Sequence, residues 1–295
     1  MSPAEFDLSN GFVNAIERAG RSVVTVNEGG RAGVSGTVWR DGLVVTTEHT
    51  IRGQRELTIK LPNGTSSTAT VVGADPNTDV ALLRLQDSLA ATNEFADPTK
   101  IRVGQFVLVI GRRRAKGLVA SHGIVSAVGG EWRTWRGGRI DQSFRLDVLP
   151  FSGFSGGPLV DVQGRIIGIN TSGLHRSVMT VPVTTVNRIV DQLLAKGRIP
   201  RGFLGIALQP VRLPSSHSGA NCGLLVTMTE PGGPAEKAGF IIGDIVTTVT
   251  GKPVTDLTDL QATLDPEQVG RKIQIRVLRA GQAHDLSLTV GEHPE

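Results

Sequence analysis

Cysteine is almost missing from this 295-residue chain: Cys222 stands alone. A single thiol excludes an intramolecular disulfide and any thiolate zinc cluster, and it leaves the redox compartment open. Its place ahead of Gly223-Leu224-Leu225-Val226 suits a half-buried strand start rather than a reactive group. Histidine is sparse as well, and His122, His175, His217, His284 and His293 show no paired spacing with Cys, Asp or Glu that would build a metal site. Neither a metal nor another cofactor is therefore expected. Long apolar runs are also lacking. Nothing approaches the ~20 residues that span a bilayer, and no basic-then-apolar leader opens the chain. As written, the protein reads as soluble, with no integral membrane segment. It is cytoplasmic if residue 1 is the natural start, and periplasmic or of the cell envelope if a leader has been removed.

Glycine, by contrast, is abundant at 37 residues. Short runs rich in Val, Ile, Leu and Thr recur between turn signals: Ser22 to Val26, Val34 to Trp39, Leu57 to Leu61, Thr68 to Val72, Gln105 to Ile110 and Arg165 to Ile169. Such spacing predicts an all-β-dominated barrel or sandwich. Two stretches depart from it. Leu8, Phe12, Val13, Ile16 and Ala19 follow helical spacing, and 184–197 predicts a helix with a capping Thr184 and a terminal Gly197. The length suits two domains of roughly 100 to 200 residues, and Arg198-Ile199-Pro200-Arg201 reads as a short basic linker.

The densest chemistry lies in Gly153-Phe154-Ser155-Gly156-Gly157-Pro158-Leu159. Glycines around a serine let the backbone turn at positive φ and aim consecutive N–H groups at one point, which a developing oxyanion needs. A serine hydroxyl also needs a base, and the base an orienting acid. His49 ends the apolar run Gly42 to Thr47, and Asp79 closes a turn cluster just ahead of the apolar Val80 to Leu85. The order His, Asp, Ser, with gaps of 30 and 76 residues, suits two groups in one barrel and the nucleophile in a second. The site then falls at the seam.

These segments carry a resemblance. Thr47-Glu48-His49-Thr50-Ile51, Thr78-Asp79-Val80-Ala81-Leu82-Leu83 and the Ser155 loop resemble the histidine, aspartate and nucleophile segments of the HtrA (Deg) serine proteases. Val103 to Gly111, Gly123-Ile124-Val125-Ser126 and Gly164 to Asn170 follow in the same register. The resemblance implies a chymotrypsin-like double β-barrel protease domain over 1–198 and a small α+β PDZ domain over 199–295. It implies a His49, Asp79, Ser155 triad with an oxyanion hole at Gly153, Phe154 and Ser155. Pro150, Thr180 and Val181 would contact substrate. Unfolded or misfolded proteins are the implied substrates, and a homotrimer built on N-terminal aromatics such as Phe6 and Phe12 the implied assembly.

In the second domain, Gly202-Phe203-Leu204-Gly205-Ile206 resembles the PDZ carboxylate loop, with Phe203, Leu204, Gly205 and Ile206 receiving a peptide C-terminus. Pro234 to Gly239 reads as a short helix, Gly243 to Val246 as a turn into a strand, and Asp256 to Leu264 as the helix walling the groove.

The chain also departs from the family pattern. Phe154 stands where an asparagine is usual, Arg112-Arg113-Arg114-Ala115-Lys116 replaces an Asn-Pro-Phe stretch, and Val178-Met179-Thr180-Val181-Pro182 replaces Gly-Phe-Ala-Ile-Pro. A different substrate preference follows. The altered loop also supports a rival reading, a catalytically silent chaperone or adaptor working through the PDZ groove. A third reading takes the net charge of +4, the arginine run, and Trp132 and Trp135 among Arg133, Arg136 and Arg139 as a base-stacking surface. No nucleic-acid fold signature accompanies it, and no nucleic-acid partner is expected.

Overall fold

The apolar runs 43–47, 158–161 and 166–171 are continuous because their residues are buried on both faces of the strand, whereas 56–60 alternates between buried and exposed positions. The computed structural model describes residues 3–27, 33–87, 89–113, 116–149, 153–173, 179–213, 222–262 and 264–292. It divides into two compact units, Met1–Ile199 and Pro200–Glu295.

Unit one opens with helix α1 (Pro3–Gly20). Strands β1 (Val23–Asn27), β2 (Val34–Arg40), β3 (Leu43–Thr47), β4 (Glu56–Lys60), β5 (Ser66–Asp75) and β6 (Val80–Leu85) then close a barrel in the order β1-β2-β3-β6-β5-β4. One helical turn, α2 (Glu48–Ile51), interrupts it after β3. A second sheet follows, built from β7 (Phe106–Arg113), β8 (Gly117–Gly129), β11 (Ser143–Val148), β12 (Pro158–Asp161), β13 (Ile166–Thr171) and β14 (Met179–Pro182). Its order is β11-β8-β7-β12-β13-β14, and its edge strands β11 and β14 pack together without joining the hydrogen-bonded ladder. A small hairpin of β9 (Trp132–Arg133) and β10 (Arg139–Ile140) leaves the second sheet.

Alternation along each strand sends neighbours to different cores. Val24, Val44 and Leu83 fill the first barrel, and Val107, Val109 and Ile167 fill the second. Their neighbours Val23, Val45, Leu82, Leu108 and Ile110 meet in a third core between the barrels. Helices α1 and α3 (Val183–Lys196) cover this core. Phe12, Ile16 and Ala19 of α1 face it, but Leu8 and Val13 of the expected apolar stripe are exposed. Val13 is turned about 100° from Phe12.

Helix α3 corrects the expected cap. It starts after Pro182 with no side-chain cap, and Thr184 sits exposed within the first turn. Its end is as the sequence suggests: Gly197, at φ +72°, turns left-handed and donates its N–H to the Leu193 carbonyl.

Unit two carries β15 (Gly202–Phe203), β16 (Ile206–Arg212), β17 (Cys222–Thr229), β18 (Ile245–Val249), β19 (Lys252–Pro253), β20 (Lys272–Arg279), β21 (Gln282–Thr289) and β22 (Gly291–Glu292). The main sheet runs β16-β17-β18-β20-β21, with β19 paired to β18 and β15 to β22. Here strands are buried on one face: Ile273, Ile275 and Val277 point inward while Lys272, Gln274 and Arg276 are exposed. Helices α4 (Pro234–Lys237) and α5 (Leu257–Ala262) add Ala235 and Leu260 to this core.

One buried charge secures unit two. Asp244 is fully buried and grips Arg279 through two bonds of 2.8 Å, while accepting the Ile241 N–H at 3.0 Å. Burial opposes its ionisation, but Arg279 and the Ile241 amide outweigh that and hold the carboxyl below its ordinary value. A carboxylate depressed in the folded state contributes stability above its unfolded pKa and loses it as pH falls through the folded one. Arg279→Met should therefore destabilise unit two by about 3 kcal/mol at neutral pH, and the deficit should shrink as the pH drops below about 4. Hydrogen–deuterium exchange over β18 and β20 of the full chain reads this; a deficit independent of pH would exclude the ion pair as its source.

Candidate active site

His49 does not ride the strand end but the helical turn α2. The turn is fixed by its own polar groups. Thr50 Oγ1 donates to the Thr47 carbonyl at 2.8 Å, and Arg52 clamps Glu48 through two bonds of 2.8 Å. Asp79 precedes β6 at φ +59°, a left-handed conformation that aspartate tolerates better than bulkier residues. The turn before it is organised by Asp75, which accepts from Asn77 N at 3.1 Å and from Thr78 Oγ1 at 2.7 Å.

Both Asp79 oxygens are engaged. Oδ1 accepts the His49 backbone N–H at 2.8 Å, and Oδ2 lies 2.7 Å from His49 Nδ1 while also accepting the Thr171 hydroxyl. The carboxylate is 3 % exposed and the imidazole 32 %. One edge of the ring is thus tied to a buried acceptor, and the rest reaches the surface. Gly173 closes the pair from above: a Cβ there would stand 2.5 Å from Asp79 Oδ2 and 2.6 Å from His49 Nδ1.

The Ser155 loop belongs to the second sheet but is pinned by the first barrel. Ser35 on β2 donates its N–H to the Ser155 carbonyl at 3.1 Å and its hydroxyl to the Gly153 carbonyl at 2.6 Å. Thr37 Oγ1 donates to the Gly156 carbonyl at 3.0 Å. From the other side, Gly156 N donates to Asn170 O and Asn170 N to Gly157 O, each at 2.9 Å. Gly153 and Gly156 take φ of +99° and +82°. Among the described residues the N–H groups of Gly153 and Ser155 have no internal acceptor. The Ser155 hydroxyl bonds Ser172 Oγ at 3.1 Å, and among the described residues it does not bond His49.

Phe154, the departure beside Ser155, is a core residue. It is 2 % exposed and fills the second barrel, where Gly111 leaves room for its ring. A Cβ at Gly111 would stand 2.9 Å from it. Of the expected substrate contacts, Pro150 lies outside the described residues. Thr180 and Val181 are 4 % and 2 % exposed, with the Thr180 hydroxyl donated to Asn170 Oδ1 at 2.8 Å. They can shape a substrate pocket only as its buried floor.

Sequence reading missed Ser35, Thr37, Thr171 and Ser172. A signal existed for the first two: polar residues at alternating positions in an apolar strand point one way, and both are fully buried. The basic run is also reassigned in part. Arg112 donates to the carbonyls of Val23 and Gly20 at 2.5 and 2.8 Å, closing the end of α1, and burial pushes its guanidinium below the ordinary value. Trp132 packs on the core between the barrels; Trp135 is 69 % exposed with Arg136 stacked 4.6 Å from its ring centre.

In unit two, Phe203 pairs with Gly291, Leu204 is buried and Gly205 turns at φ +74° into β16. The Leu204 and Gly205 carbonyls accept from Ala235 N at 2.9 Å and Glu230 N at 2.8 Å. Among the described residues their own N–H groups have no internal acceptor. Strand β16 is a sheet edge, and α5 lies against it. An edge strand, a helix beside it and free N–H groups at its start can receive an extended peptide and its terminal carboxylate.

A six-stranded barrel joined to a second sheet, with an Asp-His pair at the seam facing a Gly-Phe-Ser-Gly-Gly loop, defines a trypsin-like fold. Residues 34–169 match the trypsin-like peptidase domain, and residues 202–290 the PDZ domain. A probable periplasmic serine endoprotease DegP-like of Brucella suis biovar 1 (strain 1330) is 34 % identical over 265 residues, which cover 86 % of this chain and 51 % of that protein. The protein of the same description from Rhizobium meliloti (strain 1021) is 33 % identical over 268 residues, 87 % and 52 % of the two chains. The chain thus spans about half the length of these curated relatives. The serine endoprotease from Yersinia pestis superposes with a TM-score of 0.75 at 28 % identity, covering 96 % of this chain and 98 % of that one. The HtrA-type protease AlgW with tripeptide gives 0.74 at 27 % identity over the same shares. The chain belongs to the HtrA (Deg) family of serine proteases.

No helix among the described residues is long and apolar enough to cross a membrane.

Proposed function

We propose that this chain is a serine endopeptidase that hydrolyses peptide bonds of unfolded or misfolded proteins and binds peptide C-termini through its PDZ domain. The observation that carries the reading is the His49–Asp79 pair held beside a nucleophile loop that the opposite barrel pins at three points. Ser155 Oγ leaves Ser172, turns to the imidazole and attacks the scissile carbonyl. His49 takes the proton and returns it to the leaving amine. Asp79 fixes the ring through Nδ1 and stabilises the imidazolium, and the N–H groups of Gly153 and Ser155 receive the oxyanion. Water then releases the acyl group.

The domain limits proposed are 1–198 for the protease and 199–295 for the PDZ domain. Relatives described as periplasmic favour a periplasmic site of action over the cytoplasmic alternative. A homotrimer is the assembly proposed by family analogy alone. Phe12 already packs within its own chain, against Phe106 at 5.9 Å and His122 at 6.1 Å between ring centres.

Casein and a folded control protein, each incubated with the unmodified chain and with Ser155→Ala, test the reading. Cleavage of casein by the unmodified chain alone is expected. Binding without cleavage by either form would favour the adaptor reading, which the Ser155–Ser172 bond keeps in view. The PDZ function has its own test. A labelled apolar-ended peptide should lose at least tenfold in affinity when its C-terminus is amidated, because the Leu204 and Gly205 amides then face no carboxylate; anisotropy reads the difference.

A further inference from the structure

Arg113 is the one member of the arginine run, among those described, whose cation the fold leaves unused. Successive residues on β7 point to opposite faces. Arg112 spends its guanidinium on the carbonyls of Gly20 and Val23. Arg113 goes the other way, across the nucleophile loop. Its Cγ, Cδ and Nε stand 3.1, 3.3 and 3.5 Å from where a Cβ on Gly153 would be. Gly153 has no such atom, and its φ of +99° keeps glycine there. The arginine stem therefore lies directly on the residue whose N–H is free to meet an oxyanion. Among the described residues no carboxylate pairs with Arg113, and it is half-buried.

A cation in that place has a consequence for substrate choice. The scissile carbonyl must sit at Gly153 N–H to react, so the substrate residues flanking that bond pass beside the guanidinium. An acidic side chain there gains a charge-assisted contact in every productive complex, and a basic one is repelled. We infer that Arg113 is a specificity-determining residue, selecting substrates with Asp or Glu next to the scissile bond. The inference rests on the protease reading and deepens it by naming the class of sequence cleaved.

The test uses fluorogenic peptides that differ only by Asp against Asn, placed in turn at the two residues on each side of the cleaved bond. For at least one position, the ratio of kcat/KM for the acidic over the neutral peptide should exceed one. It should fall about fivefold in Arg113→Gln, the scale of a partly exposed ion pair. Arg113→Lys, which keeps the charge but loses the planar fork, should fall between. On the unmodified chain, raising the salt to 0.5 M should weaken the preference without any substitution. An acidic-to-neutral ratio of one at every position, or one that Arg113→Gln leaves as it was, would overturn the assignment while sparing the protease reading. No cleavage of either peptide by the unmodified chain would overturn both.

Discussion

Asp79→Asn should lower kcat by about four orders of magnitude and leave the fold in place. The carboxylate does two separable jobs. Its Oδ1 takes the His49 backbone N–H at 2.8 Å, which anchors α2, and an asparagine carbonyl can do the same. Asparagine also tolerates the φ of +59° at this position. What the amide lacks is the charge, and a second acceptor to serve Thr171 Oγ1 and His49 Nδ1 together at Oδ2. An NH2 placed there turns Nδ1 into an acceptor and moves the ring proton to Nε2, which can then no longer act as the proposed base. The check is kcat on a peptide substrate beside circular dichroism and thermal unfolding. Asp79→Asn combined with Ser155→Ala should be no slower than Ser155→Ala alone, because the two residues act as a unit. A large loss of Tm in Asp79→Asn would instead assign Asp79 chiefly to the anchoring of α2.

Much of this arrangement was legible in the sequence, for identifiable reasons. Strands such as β3 stand out as uninterrupted apolar runs because they separate two cores: Val44 and Val45 are both buried, each in a different one. His49 and Asp79 could be found because each sits where an apolar run meets a turn. The parts that stayed hidden depend on contacts distant in sequence. Ser35 reaches Gly153 across 118 residues and Thr171 reaches Asp79 across 92, and nothing local marks either as more than a small polar residue. Phe154 illustrates the limit from the other side. Beside Ser155 it reads in sequence as an alteration of the loop, yet its ring belongs to the barrel interior and needs only the space left by Gly111. Adjacency in sequence groups Arg112 with Arg113, whereas the pleat of β7 sends one to backbone carbonyls and the other to Gly153. Thr184 was offered as a helix cap on residue type alone. The helix begins one residue earlier, at Val183, so the position before it is Pro182, which has no side-chain acceptor to offer.

The seam between the barrels leaves no room for a side chain at residue 156, and Gly156→Ala should reveal it. At φ +82°, a Cβ on residue 156 would stand 2.0 Å from the Ser35 carbonyl oxygen and 2.6 Å from Thr46 Oγ1. Those atoms are themselves hydrogen bonded at 2.8 Å and buried, so neither can step aside cheaply. The strand and the loop must separate, and with them go the Ser35 N–H bond to Ser155 and the Thr37 bond to Gly156. The cost combines a left-handed alanine, about 1–2 kcal/mol, with overpacking of about 1–3 kcal/mol. Activity should disappear with it, since the same bonds hold the Ser155 loop. Gly64→Ala supplies the comparison. Gly64 has φ +88° but nothing within 4 Å of its would-be Cβ, so it carries the backbone cost alone, about 1–2 kcal/mol, and should keep full turnover. Urea midpoints and casein turnover for the two variants separate the terms. If both lost the same stability, the clash at Ser35 would be contributing nothing and the loop would be free to move against the first barrel. If Gly156→Ala lost activity at unchanged stability, the seam would be positioning Ser155 without holding the barrels together.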